Sequence, residues 1–292
     1  MTHDDVSSLS IAIPAHNAGQ TIAEQLDAIR AQDAEWLDEV VVVDSMSTDD
    51  TVAIVGTYST HWPKVRLATA TRPGANTARN VGVASTNSAA VLLCDADDVV
   101  SPNWAATMFA ALKRHDVVRG RYTLGLLNDD ATIAARGSLA STTPPSGSDP
   151  FGGLGGNCGF RRAVWDHLGG LLEHHYGSDD AEFFWRARIA GFDVAYEHES
   201  VVNYRLRPGM RALFRQQSQW ASGRVLLFKE FHEAGLVQRR SFGAAAKAWA
   251  WLVIHLPDAA SKDPRRRGRW IRGGAEALGR VRGMRRHRVW FP

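Results

Sequence analysis

The chain has 292 residues, 45% hydrophobic and 22% charged, enough for a large core in one domain or in one domain with an appendage. Two cysteines, Cys94 and Cys158, exclude a disulfide framework or a zinc pattern, and no run approaches the ~20 apolar residues that span a bilayer. The net charge of +3 is uneven: from residue 261 onward eleven Lys and Arg face only Asp263 and Glu276, which leaves −6 on the residues before them.

The opening Met1–Asp5 is acidic and lacks the basic-then-apolar form of a secretory signal, so a reduced, cytoplasmic protein is expected. Ser10–Pro14 reads as a short buried strand stopped by proline, followed by a loop over 15–19. Thr21 is placed to cap a helix whose Ile22, Leu26 and Ile29 recur at helical spacing. Glu39–Asp44 is a second strand, β-branched through its core and so expected to be buried on both faces. Thr48 or Asp49 then caps a further helix. Val65–Ala68 is a weaker strand, Arg72–Asn80 leads into a helix, and Ala90–Cys94 makes the fourth strand. Strand and helix alternating at this spacing imply a parallel α/β sheet.

The fourth strand ends in Asp95, Asp97 and Asp98, and Pro102 breaks the chain soon after. In an extended chain Asp95 and Asp97 face one side and Asp98 the other. Carboxylates at the C-terminal edge of a parallel sheet sit where open α/β folds place ligands, and paired oxygen ligands suit a hard divalent cation. A strand end with solvated acids and a helix cap is the simpler reading of those residues alone.

Four segments in order carry a resemblance: Ile11–Asn17, Val42–Asp49, Gly74–Gly82 and Leu92–Asp98. Together they resemble the nucleotide-binding half of a family 2 glycosyltransferase with the GT-A fold. His16 stands where a tyrosine is common, and Ser45 and Met46 replace the usual acid-glycine pair. The resemblance implies that Pro14, Ala15, Asn17 and Asp44 hold the base and ribose of a nucleoside diphosphate sugar. It implies Asp97 as ligand of a Mg2+ or Mn2+ ion that bridges the diphosphate. Asp95 would bind ribose or assist the metal, and Arg79 would contact the donor's phosphates or sugar. Read alone, Asp44 is a strand-end turn residue and Arg79 a solvated helix charge.

Past Asn103, Trp104, Met108, Phe109 and Leu112 mark a helix that buries one face, and Val117–Tyr122 is strand-like. The stretch 137–157 is rich in Gly, Ser and Pro, which fits either a lid or a plain linker. Gly155–Arg162 resembles the family's segment between donor and acceptor halves. Asp179, Asp180 and Glu182 open a helix, where acids offset the macrodipole and Glu182 can pair with Arg186. The stretch also resembles the family's acidic motif, which implies Asp180 as general base toward the acceptor hydroxyl with Asp179 as its helper. Many relatives carry a histidine metal ligand where Tyr204 stands; His198, on an irregular segment, reads as a surface residue.

Residues 209–231 form a long helix that buries Leu213, Trp220 and Leu227, with Trp220 a candidate for the acceptor site. Ala244–Leu256, with Trp249 and Trp251, is too short to span a bilayer but suits an interfacial helix. The Arg-rich tail fits a packed basic helix pair, contact with anionic lipid, or a second subunit; no nucleic-acid motif accompanies it.

These readings converge on an α/β, GT-A (Rossmann-like), mixed and mostly parallel sheet flanked by helices. Residues 1–205 are the expected catalytic domain, with a nucleotide-sugar half at 1–102 and an acceptor half at 103–205. Residues 206–292 are a helical, Arg-rich extension. The expected reaction is metal-assisted, inverting transfer from a nucleoside diphosphate sugar, a UDP-sugar by default, to a glycan, lipid-linked or small-molecule hydroxyl. Its place is the cytoplasm or the inner face of the membrane, with homo-oligomers conceivable. The alternative is a noncatalytic nucleotide-sugar-binding or membrane-scaffold protein of the same fold, which intact Asp95, Asp97 and Asp180 argue against. Nucleotidyl transfer would call for a glycine-rich basic loop, which 11–19 lacks.

Overall fold

The computed structural model describes residues 6–137, 155–174, 177, 179–236 and 241–291, with Asp179 and Asp180 described through their backbone only. The chain divides into two compact units. One takes in Met1–Thr123, Ala140–Glu173 and Phe183–Arg205; the other takes in Leu124–Leu139, His174–Glu182 and Leu206–Pro292.

The first unit is built on one sheet. Its strands are β1 (Leu9–Ala15), β2 (Leu37–Asp44), β3 (Val65–Thr69), β4 (Ala90–Cys94), β5 (Val99–Val100), β6 (Val117–Thr123), β7 (Asn157–Arg161) and β8 (Val194–Asn203). They lie in the order β3-β2-β1-β4-β7-β6-β8-β5. Strands β1 to β4 pair in parallel, β6 and β8 pair in parallel, and β7 and β5 enter antiparallel. The sheet is therefore mixed and mostly parallel.

Val40–Val43 shows why the centre of β2 is apolar at four successive residues. Val40 and Val42 join the large core with Ile22, Leu26 and Ile29 of α1 (Ile22–Arg30) and Val55 of α2 (Thr51–His61). Val41 and Val43 point the other way, into a smaller cluster with Ala78 of α3 (Ala75–Ala84). Helices on both faces leave no solvated side, so the alternation of a half-exposed strand is absent. Pro14 lies inside β1 and does not end it. The pairing of β1 to β4 stops at Ala12, whereas its pairing to β2 runs on to Ala15, so a residue without an N–H is tolerated there.

Trp104 and Leu112 of α4 (Trp104–Leu112) complete the large core. The sequence reading passed over α5 (Asp130–Arg136), where Asp129 accepts from the Thr132 amide at 2.7 Å as N-cap. Then come α6 (Arg162–Leu168), α7 (Asp179–Ile189), α8 (Met210–Phe231), α9 (Phe242–Ile254), a 3-10 turn at Leu256–Ala260, and α10 (Pro264–His287).

In the second unit α10 packs backbone to backbone on α8. A Cβ on Gly279 would lie 2.3 Å from the Ser218 carbonyl oxygen, so glycine is required for the approach. Leu213 and Leu227 of α8 are buried as expected, while Trp220 is only partly covered, beneath the Arg136 guanidinium at 6.0 Å.

Candidate active site

The C-terminal ends of β1, β2 and β4 bring together the three loops singled out in the sequence. Asn17 turns the chain after β1 with φ of 51°, which asparagine tolerates. Its side-chain oxygen accepts from the Thr48 amide at 2.8 Å, and its own amide donates to Ser47 Oγ at 2.9 Å. Asp44, buried at the end of β2, accepts from the Ser47 amide at 3.1 Å. His16 Nδ1 contacts the Ser45 carbonyl at 2.7 Å. The β1 and β2 loops are thus stitched into one wall that includes Ala15 and Pro14. Met46 sits in that wall at φ 61° with its side chain exposed, a left-handed position where glycine costs nothing.

The acids after β4 occupy a turn, not an extended strand. Each offers an oxygen, and the oxygens of Asp95, Asp97 and Asp98 lie within 4.8 Å of one another. This corrects the expectation that Asp98 faces away: strand alternation ends at Cys94, and the turn brings all three round. Asp98 is buried and accepts from the Arg205 amide at 2.7 Å through one oxygen, while its Oδ2 has no hydrogen-bond partner among the described residues. Burial, with Asp97 and Asp95 beside it, pushes the Asp98 carboxyl well above the usual carboxylate range. A divalent cation would satisfy the orphaned oxygen and offset the clustered charge, so these residues fit the hard metal ion that the sequence implied.

Several residues, some of them outside the motifs, hold this turn. Thr21 Oγ1 donates to the Ala96 carbonyl at 3.0 Å, and buried Gln25 donates to the Asp95 carbonyl and accepts from the Val100 amide, both at 3.0 Å. Arg205 Nε donates to the Asp97 carbonyl at 2.8 Å. Arg79 is buried and donates to Asp95 Oδ1 at 2.9 Å, so it is not the solvated charge of its isolated reading. Gly156 crosses beside Asp95 so closely that a Cβ there would sit 2.3 Å from Oδ2. None of these partners shows itself in sequence, since each acts across 20 or more residues or through a missing side chain; Arg79, 16 residues away, was found only through its motif.

Asp179 and Asp180 open α7 as expected, but their side chains lie outside the described residues, as do 138–154 of the expected lid or linker. Arg186 donates to the carbonyls of Leu168 and Gly170 at 2.8 and 2.6 Å. His198 is exposed, at the bulge where the β6–β8 register shifts, and so lies on a strand and not on an irregular segment. Tyr204 packs edge-on against Tyr122 at 5.5 Å.

Among known proteins, the profile of glycosyl transferase family 2 matches residues 10–168, and that of glycosyl transferase family group 2 matches 90–261. The uncharacterized glycosyltransferase YibD of Escherichia coli (strain K12) is 31% identical over 114 residues, 39% of this chain and 33% of that protein. The match therefore spans about a third of that relative's length. The mannosyltransferase PcManGT from Pyrobaculum calidifontis, solved with GDP-Man and Mn2+, superimposes with a TM-score of 0.63 at 21% identity, covering 94% of this chain and 86% of that one. Glucosyl-3-phosphoglycerate synthase from Mycobacterium tuberculosis, solved with Mn2+, UDP and phosphoglyceric acid, gives 0.57 at 21% identity, with 76% and 78% covered. At that identity the two structures establish the fold, which is GT-A.

Proposed function

The chain belongs to glycosyl transferase family 2, and from that premise we propose that it transfers a sugar from a nucleoside diphosphate sugar to an acceptor hydroxyl, with inversion at the anomeric carbon. The observation that carries the reading is the convergence of Asp95, Asp97 and Asp98 after β4, beside the wall formed by the β1 and β2 loops. Pro14, Ala15, Asn17 and Asp44 bind the base and ribose. Asp97, with Asp95, would hold a Mg2+ or Mn2+ ion, which supplies positive charge against the diphosphate as it leaves. The Mn2+ in the two solved relatives supports that choice of metal. Arg79 holds Asp95 in place through its ion pair.

Asp180, helped by Asp179, takes the proton from the acceptor hydroxyl. The acceptor oxygen bonds to the anomeric carbon while the bond from that carbon to the diphosphate oxygen breaks; the proton rests on Asp180, and the diphosphate leaves with the electron pair and one added negative charge. Residues 1–205 form the catalytic domain in this reading and 206–292 its helical extension. GDP-Man and UDP both occur among the solved relatives, so the base is chosen by test, starting from UDP-sugars. A thermal-shift screen of nucleoside diphosphates and their sugars, with and without manganese, makes that test, because a ligand bound only to the folded state raises the melting temperature. A manganese-dependent rise with one nucleotide supports the proposal; none with any of them contradicts it.

A further inference from the structure

Helix α9 is apolar, yet Leu252 is its one buried residue among those described. Phe242 is 73% exposed, Trp249 43%, Val253 72% and Ile254 73%; Leu256, in the following turn, is 59% exposed. At 3.6 residues per turn, Phe242, Trp249 and Val253 fall along one side of α9, and Ile254 lies about 100° further round. A stripe of large apolar side chains on a solvent-facing helix marks an interaction surface. It is held firmly from behind: Trp270 Nε1 of α10 donates to the Leu252 carbonyl at 2.9 Å.

The adjoining segment is basic. From 255 to 272 there are six Lys and Arg against Asp258 and Asp263, and these two are engaged, one with Arg266 at 3.5 Å and the other capping α10. Arg265, Arg269 and Arg272 recur on one face of α10 and line a cavity of about 360 Å³ with Leu124, Ile133 and Gly137. Burial, with Arg269 nearby, lowers the Arg272 pKa, and the Arg272 guanidinium donates to the Ala135 carbonyl at 2.6 Å.

We propose that this face of the second unit docks on an anionic phospholipid bilayer, with the α9 stripe entering the headgroup boundary and the Arg265, Arg269 and Arg272 groove taking a lipid phosphate. Apolar residues on one helix flanked by arginines on the next is the pattern of an interfacial anchor. Among the described residues no helix is long and apolar enough to cross a membrane, so the contact is peripheral. A second copy is a poorer occupant, because self-pairing would set arginine against arginine. The inference stands apart from the transfer reaction and does not need it.

The test is flotation of the full chain with phosphatidylcholine vesicles, with and without phosphatidylglycerol. Binding should require the anionic lipid and weaken as salt is raised. Arg265→Ala with Arg269→Ala should reduce partitioning by about five-fold per arginine. Val253→Ser with Ile254→Ser, both at exposed positions, should also release the protein while its melting temperature is unchanged. Equal binding to neutral vesicles, no binding to either kind, or binding indifferent to both pairs of substitutions would overturn the proposal. So would a dimer, seen by light scattering, that the Val253 and Ile254 substitutions dissolve.

Discussion

Arg79 Nη2 lies 2.9 Å from Asp95 Oδ1, an ion pair in which the arginine is buried and the aspartate half-covered. Asn76 Oδ1 accepts from the same guanidinium at 3.3 Å, so the arginine is fixed from α3. It sets a positive charge against Asp95 in a turn that also holds Asp97 and Asp98.

Breaking that pair should be costly. Arg79→Ala leaves Asp95 facing Asp97 and Asp98 without its guanidinium partner, and the expected loss is about 3 kcal/mol, the low end for a buried pair. Urea unfolding of Arg79→Ala, Asp95→Asn and the double variant checks this. The double variant should lose less than the sum of the singles, and strict additivity would mean no coupling.

Gly156→Ala tests the tight passage beside Asp95. The added methyl must push the carboxylate aside, since it would otherwise sit 2.3 Å from Oδ2. Misplacing a group beside a metal ligand typically costs roughly 10–100-fold in affinity, so manganese-dependent nucleotide binding should fall by that order in calorimetric titration. The circular dichroism spectrum should not change.

Asp98 makes the stability of the metal-free protein depend on pH. Its folded pKa is raised well above 3.8, so its contribution is present below that value and is lost as pH rises through the folded pKa. In the presence of a chelator, Asp98→Asn should therefore hold its melting temperature better than the parent as pH rises. Manganese should remove the difference by offsetting the parent's charge. Parallel pH profiles with chelator would contradict the account.

Much of this was legible in the sequence because local chemistry repeats. β-branched runs mark strands buried on both faces, and the acids at or just after the ends of β2 and β4, Asp44 and Asp95, mark the sheet edge where the loops converge. Asp98 was misread because strand alternation was extended past Cys94 into a turn set by Gln25 and Thr21 from α1. The glycines of α10 were passed over because its arginines dominate the composition, although Gly279 decides how it packs. Helix α5 escaped because seven residues give too short a period to read.

The proposed base gives a prediction that separates turnover from binding. Asp180→Asn keeps the size of the side chain and its place in the first turn of α7 but cannot take a proton. Transfer should fall on the order of 10²–10⁴-fold with donor affinity unchanged. An unchanged rate would move the role to Asp179 or Glu182.

The most direct test of the central claim follows release of nucleoside diphosphate from a panel of nucleotide sugars, with and without manganese, by the parent and by Asp97→Ala. The account predicts slow, manganese-dependent release by the parent even where water is the only acceptor, and its loss in a folded Asp97→Ala variant. Donor binding by the parent without release under any condition, or equal release by the variant, would contradict it.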